Sequence, residues 1–347
     1  MLAKNIKGSP TSSSKSSGSA FPAALQNIPL GEKTGLVLDV KKISIPDATA
    51  PYNPSLIEHG DGYRLFFRYD VLVSTPNVPF HSYIGCAELD HDLNPIEQDF
   101  VTIETGSKFS EDPRVIASNN LLYVSYNDIL SPSERDRVIK MACLDPKSLE
   151  TKYVTELDLQ IQHIEKNWAP FNYRTPKGTE EIYVEYELNP RKLYKLPDPK
   201  TNSMVRMIFA KGPRLQSFPW PKIWGYPSGG TPARLVDGQY LAFFHSRFKD
   251  SHDKPWYVMG AYTFEAHPPF RVTGVSHFPI LFQGIYETPP QNSAPVNLNA
   301  IFPGGFVAGK KNGKDVLYVA CGENDCAVKI ITLDKEVLLK SLKKIKS

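Results

Sequence analysis

An all-β chain closed into a five-bladed β-propeller is predicted by three features: a fivefold repeat, turn signals at matching places in each copy, and a composition rich in proline and aromatics. The repeat is a Pro with a short β-rich run, a turn, then an aromatic-rich strand. Its copies begin Asn53-Pro54-Ser-Leu-Ile, Asp112-Pro113-Arg-Val-Ile, Ala169-Pro170-Phe-Asn-Tyr, Thr231-Pro232-Ala-Arg-Leu and Phe302-Pro303-Gly-Gly-Phe. The prolines stand 59, 57, 62 and 71 residues apart. Each copy then turns, at His59-Gly-Asp-Gly62, Ser118-Asn-Asn120, Lys177-Gly178, Asp237-Gly238 and Asn312-Gly313. Such dipeptides supply the positive φ that hairpin turns need. The strands that follow are Tyr63–Arg68, Leu121–Tyr126, Glu181–Tyr186, Tyr240–His245 and Val316–Cys321, all aromatic or β-branched in character.

A period near 60 residues has room for four strands, which is one propeller blade. Five units fill most of the 347 residues. Closing the ring protects the sheet edges, so one closed domain is expected over residues 32–333. The 30 prolines argue against a helical bundle, where each interior Pro costs about 3 kcal/mol.

The ends read differently. Residues 1–31 are Ser-rich, carry Lys4, Lys7 and Lys15, and have no acidic residue. They lack the apolar stretch of a secretory leader, and a transit peptide would carry Arg, so a disordered tail is expected. Residues 334–347 have helical spacing, with Leu338, Leu342 and Ile345 on one stripe and lysines near the C-terminus. A short basic amphipathic helix docked on the ring is expected there.

Composition excludes several classes. A hydrophobic share of 41% is enough for a core. No apolar run approaches a membrane span. A net charge of +3, dispersed along the chain, argues against nucleic acid as a partner. Cys86, Cys143, Cys321 and Cys326 match no zinc spacing and are too few for a disulfide scaffold. Reduced thiols and a cytoplasmic location are expected, with no metal and no cofactor.

In a propeller, equivalent positions of the repeats converge on the axis. Here they are Asn53, Glu111, Asp112, Lys166 and Asn167, with strand ends adding Arg68, Tyr126, His245 and Asp325. Carboxylates, cations and aromatics around one funnel suit a sugar: rings stack on its apolar faces and charged groups bond its hydroxyls. A half-buried ring carboxylate among others could hold a proton near neutral pH, as glycoside cleavage requires.

At these positions the chain resembles glycoside hydrolase family 130, the β-mannoside phosphorylases and related β-mannosidases. The matching pieces include Asn53-Pro-Ser-Leu, Leu65-Phe-Phe-Arg68, Glu111-Asp-Pro-Arg114, Glu165-Lys-Asn-Trp168, Gly229-Gly-Thr-Pro232 with His245, Phe302-Pro-Gly-Gly305 and Gly322-Glu-Asn-Asp325. The resemblance implies that Asp112 is the general acid, acting directly or through a sugar hydroxyl that relays the proton. It implies that Asn53, Arg68 and Asp325 contact the mannose. Glu111, Tyr126, Asn167 and Trp168 stand beside them as further substrate contacts. It implies that Lys166 and His245 are cations that hold phosphate. The family's additional phosphate-binding Arg has its best candidate in Arg137, though the residues after Glu165-Lys-Asn depart from the family pattern.

The expected activity is inverting cleavage of a β-mannoside oligosaccharide or glycoconjugate. Inorganic phosphate as co-substrate gives α-mannose 1-phosphate. Without it, water attacks with a carboxylate base, for which Glu185, Glu287 and Glu323 are candidates. A β-mannosyltransferase and a non-catalytic glycan-binding propeller are the alternatives. An oligomer is compatible with the sequence. Segment 188–214, rich in Pro and basic residues, and segment 214–226, rich in Pro and Trp, are expected to include long loops overhanging the funnel, with Trp220, Trp224 and Tyr226 as a further sugar subsite or as loop packing.

Overall fold

The computed structural model describes residues 21–345, apart from 49, 76–77, 98, 132–135, 160–165, 198–203, 211–217 and 290–298. Five predominantly antiparallel sheets follow one another as blades. Blade 1 runs Tyr52–His59, Gly62–Thr75, Val78–Leu89 and Val101–Thr102 from axis to rim. Blade 2 runs Ser110–Ser118, Leu121–Ser131, Asp136–Leu144 and Thr151–Asp158, with Met204–Arg206 added in parallel at its outer edge. Blade 3 comprises Ala169–Arg174, Glu180–Leu188, Arg191–Leu196 and Ile208–Ala210. In blade 4 the inner strand is split into Tyr226–Gly229 and Arg234–Val236, both paired with Gln239–Lys249, and Pro255–Glu265 and Val272–Ser276 follow. Blade 5 is Ile301–Lys311, Lys314–Glu323 and Ala327–Asp334, completed on the outside by the N-terminal strand Val37–Ile43. That strand ties the last blade to the start of the first and closes the ring, as expected.

All five repeat prolines lie on, or between the pieces of, the innermost strands. An inner strand is a sheet edge, and Pro is tolerated there because one side of the strand needs no N–H donor. The register slips between Tyr52 and Ser55, between Glu111 and Arg114, and between Pro303 and Gly305. The first two bulges hold Asn53 and Asp112 at φ 46° and 56°. Asn and Asp tolerate this left-handed region better than other L-residues, and a bulge re-aims the side chain it carries.

The axis is filled rather than hollow. Arg114, 1% exposed, donates from Nε to the Gly230 carbonyl at 2.7 Å and from Nη2 to the Gly229 carbonyl at 3.3 Å. The glycines let backbones meet here: a Cβ on Gly229 would lie 2.2 Å from the Asn167 carbonyl oxygen. The expected through-channel is therefore a funnel with a floor. Between blades, apolar layers such as Ile57, Phe66, Ile84, Val115 and Val124 are fully or almost fully buried. Each such side chain contributes about 1.5–3 kcal/mol of burial. All four cysteines are buried and unpaired.

Both ends differ from expectation. Residues 1–20 lie outside the described residues, but the last third of the predicted tail is ordered. Ala23–Gln26 and Gly31–Thr34 are short helices, Leu25 is fully buried, and the Trp224 indole donates to the Ala24 carbonyl at 3.0 Å. The apolar Phe21, Leu25 and Ile28 explain this, because they bury against the ring. At the other end the helix covers only Lys335–Ser341, capped by Asp334 accepting from the Val337 amide at 3.1 Å. Leu342–Lys344 then pairs with Val272–Ser276 as an outer strand of blade 4. The open edge of that blade offers backbone partners that a longer helix would forgo. Leu338 and Leu342 are buried as expected, by helix and strand respectively. Segment 188–214 supplies strands to blades 2 and 3, and its residues 198–203 and 211–214 lie outside the described residues. Among the described residues no helix is long and apolar enough to cross a membrane.

Candidate active site

The funnel is built where the inner strands begin. Asp112, 9% exposed, is gripped at both carboxylate oxygens. Asn53 Nδ2 donates to Oδ1 at 2.8 Å and Asn127 Nδ2 donates to Oδ2 at 3.2 Å. Arg68 Nη1 lies 3.7 Å from Oδ1. The same guanidinium meets Glu111 Oε1 at 3.0 Å through Nη2 and Asp70 Oδ1 at 3.0 Å through Nε. Asp70 also accepts from the Tyr52 hydroxyl at 2.7 Å and from Ser82 Oγ at 2.7 Å. Glu111 Oε2 accepts from Arg137 Nε at 3.4 Å. Three carboxylates thus alternate with guanidiniums across blades 1 and 2.

Electrostatics fix the resting charges. Burial opposes ionisation of Asp112, but Arg68, Lys166, the Asn53 hydrogen bond and Arg114 outweigh it, and the carboxyl titrates below its ordinary value. Asp112 is therefore a carboxylate at neutral pH. The expectation that crowding with other carboxylates would keep it protonated does not hold, because each neighbouring carboxylate already faces a cation. Arg68 resists deprotonation: burial works against its charge, but Glu111, Tyr52, Asp70 and Asp112 more than offset this.

His245 departs from the sequence expectation. Burial, reinforced by Arg114, lowers its pKa to about 3 against the opposing pull of Asp112 and a Gly229 backbone hydrogen bond. It is a neutral imidazole, not a cation; with its one N–H turned to the Gly229 carbonyl, its free Nδ1 is an acceptor. Its ring centroid lies 4.6 Å from that of Phe302. Lys166 is exposed, and its charge acts on Asp112. Asn167, at φ 64°, accepts from Arg114 Nη2 through Oδ1 at 3.4 Å. Asp325 stands half-buried on the turn after Lys314–Glu323, where its charge is felt by Tyr52 and Tyr257.

Two predicted substrate contacts are elsewhere. Tyr126 is packed in the layer between blades 1 and 2, and Trp168 in the layer between blades 2 and 3. Strand parity explains the first: alternate residues face opposite sides, so Asn127 rather than Tyr126 meets Asp112. The sequence reading passed over Asn127, and the period-two alternation of its strand was the signal that could have found it. Glu111, 3% exposed, is held between the Arg68 and Arg137 guanidiniums. Glu185 is engaged by Arg191 at 2.6 Å and by the Tyr262 hydroxyl. Glu323 is engaged by Lys329 at 2.7 Å and by the Tyr286 amide at 2.6 Å. Neither is poised as a base; Glu287 is exposed. Trp220 and Trp224 pack inside, whereas Tyr226 is 70% exposed.

Three buried polar atoms around Asp112 lack a hydrogen-bond partner among the described residues: Asn53 Oδ1, Asn127 Oδ1 and His245 Nδ1. Buried polar groups are almost always satisfied, so this concentration marks a place built to receive hydrogen bonds from outside the chain.

No known family profile matches the chain, and no curated protein is similar to it by sequence. Solved structures are similar in fold. A β-1,2-mannobiose phosphorylase from Listeria innocua, in complex with β-1,2-mannobiose, has a TM-score of 0.57 at 16% identity, over 90% of this chain and 97% of its own. A mannose phosphorylase from Leishmania mexicana, in complex with phosphate ion, has a TM-score of 0.56 at 12% identity, over 91% and 94%. A GDP-Man-dependent mannosyltransferase from the same organism has a TM-score of 0.54 at 11% identity, over 88% and 92%. The structural neighbours thus include β-mannoside phosphorylases of the family that the sequence resembles. At these identities the likeness establishes the fold alone, a five-bladed propeller.

Proposed function

We infer that the chain is an inverting enzyme that cleaves β-mannosides at the Asp112 funnel, and that phosphate is the attacking group. The observation that carries this is Asp112 itself: a carboxylate held at both oxygens beside three unsatisfied polar atoms, with exposed Lys166 close enough to act on its charge. The mannoside phosphorylases among the structural neighbours support the substrate class. A mannose hydroxyl would donate to Asn53 Oδ1, with Arg68 and Asp325 as further contacts.

A phosphate oxygen attacks C1 from the face opposite the leaving group, the C1–O glycosidic bond breaks, and α-mannose 1-phosphate forms. With HPO₄²⁻ as nucleophile, its proton ends on the departing hydroxyl. Asp112, ionised at rest, passes that proton on, directly or through a sugar hydroxyl, rather than storing it. Lys166 offsets the charge of the incoming dianion. Hydrolysis has less support because two of the three candidate bases, Glu185 and Glu323, are held in buried ion pairs.

Incubation with β-1,2- and β-1,4-mannobiose, with and without phosphate, tests this. Mannose 1-phosphate should form only with phosphate. Asp112→Asn should lower that rate by about 100-fold or more; a mild loss removes Asp112 from the role. A second reading, mannosyl transfer, is supported by the transferase among the neighbours, and mannoside formation from GDP-mannose but not from mannose 1-phosphate would favour it.

A further inference from the structure

The ring has a second mouth, at the end opposite Asp112. A cavity of about 580 Å³ opens there, lined by residues of all five blades. Its wall is mainly apolar: Ile57, Ile116, Val236, Tyr240, Phe306 and Ala308. The volume falls within the range of small-molecule sites, ~300–1,000 Å³. The floor of the funnel separates it from Asp112, because Arg114 and its carbonyl partners fill the axis between them.

Two polar groups in this cavity have unmet needs. Asn172 spends Nδ2 on the Ala117 carbonyl, while its Oδ1 is buried with no partner among the described residues. Arg174 is exposed and has no ion-pair partner among the described residues. The other arginines of the cavity are paired: Arg64 with Glu88 at 2.8 Å and Arg234 with Glu58 at 2.6 Å. Glu180, directly across the sheet from Arg174, is turned to blade 2, where it accepts from the Asn119 amide at 2.7 Å and Ser118 Oγ at 3.1 Å. Asn172 and Arg174 are two apart on the inner strand Ala169–Arg174, so they share a face about 7 Å apart.

We propose that this cavity is a second ligand site, for an organic carboxylate with an apolar body and a hydroxyl at its far end. The carboxylate meets the Arg174 guanidinium in a fork, the hydroxyl donates to Asn172 Oδ1, and the body lies on the apolar wall. The site does not depend on the reaction assigned to Asp112.

4-Hydroxyphenylacetate carries all three features and is the probe. Titration into the whole protein, followed by calorimetry and by ligand-observed NMR, should give saturable binding with a Kd at or below about 1 mM. Arg174→Gln should weaken it about tenfold or more, as loss of a charge-assisted hydrogen bond does. Ala308→Trp, at an exposed strand position on the cavity wall, should abolish it without lowering the melting temperature. Phenylacetate, which lacks the hydroxyl, should bind about fivefold more weakly. Asp112→Asn should leave binding unchanged. Absence of saturable binding to the wild type, binding that either Arg174→Gln or Ala308→Trp leaves unaltered, or binding lost in Asp112→Asn overturns the proposal. The last outcome would move the probe to the funnel.

Discussion

Replacing Asn127 with Leu isolates one term in the control of Asp112. The change keeps the branch at Cγ, adds bulk and removes the amide that donates to Asp112 Oδ2 at 3.2 Å. A hydrogen bond to a charged acceptor contributes about 1.5–3 kcal/mol, and at this length the lower end applies. Losing it should raise the Asp112 titration above that of the wild type. It should stay below neutrality, because Arg68, Lys166, Arg114 and Asn53 remain.

The effect on stability has two parts. A carboxyl whose folded pKa is depressed contributes stability above its unfolded value of 3.8, lost as pH falls through the folded pKa. The variant gives up part of that contribution at neutral pH. It also removes Asn127 Oδ1, a buried acceptor without a partner among the described residues, whose desolvation was a cost. With the overpacking by Leu included, the net change at neutral pH should be a destabilisation of about 1–3 kcal/mol. Carbon-13 NMR of the aspartate carboxyls gives the titration directly, and urea unfolding gives the stability. An unshifted Asp112 resonance in a variant that still folds would refute the assignment of Asn127 as a positioning residue. So would a destabilisation of several kcal/mol with no titration change.

Other consequences are as direct. Lys166→Ala should raise the KM for phosphate about tenfold while leaving the KM for mannoside within twofold, read from initial rates at varied phosphate; a reversed pattern would assign Lys166 to the sugar. The His245 ring resonances should not move between pH 8 and pH 5, because its folded pKa lies near 3. Its depressed value also means that the unfolded chain takes up a proton that the fold excludes, so stability should fall as pH drops below about 6.5. A His245 titration midpoint near 6 in the folded protein would overturn the neutral assignment. Leu338→Ala should cost about 2–5 kcal/mol by urea unfolding, since the side chain is fully buried under the C-terminal segment; a loss under 1 kcal/mol would mean that the segment does not support the ring.

The ring itself was readable from the chain because blades are local objects. Pro54, Pro113 and Pro303 mark inner edges where a missing N–H costs nothing, and Asp237-Gly238 and Asn312-Gly313 mark turns whose φ values few other residues adopt. Those constraints act within a few residues, so the sequence by itself determined the number of blades, their order and the presence of Asn53, Arg68 and Asp112 around one end of the axis. Three things were decided only when the blades met. Arg114 reads as an ordinary strand residue, yet carbonyls from a blade far along the chain capture it and make it the floor of the funnel. Tyr126 and Asn127 are neighbours in sequence, and only the register against Ser110–Ser118 sends the amide to Asp112 and the ring to the core. The charges of Asp112 and His245 follow from burial and from the nearness of Arg68 and Arg114, which are sums over space rather than along the chain.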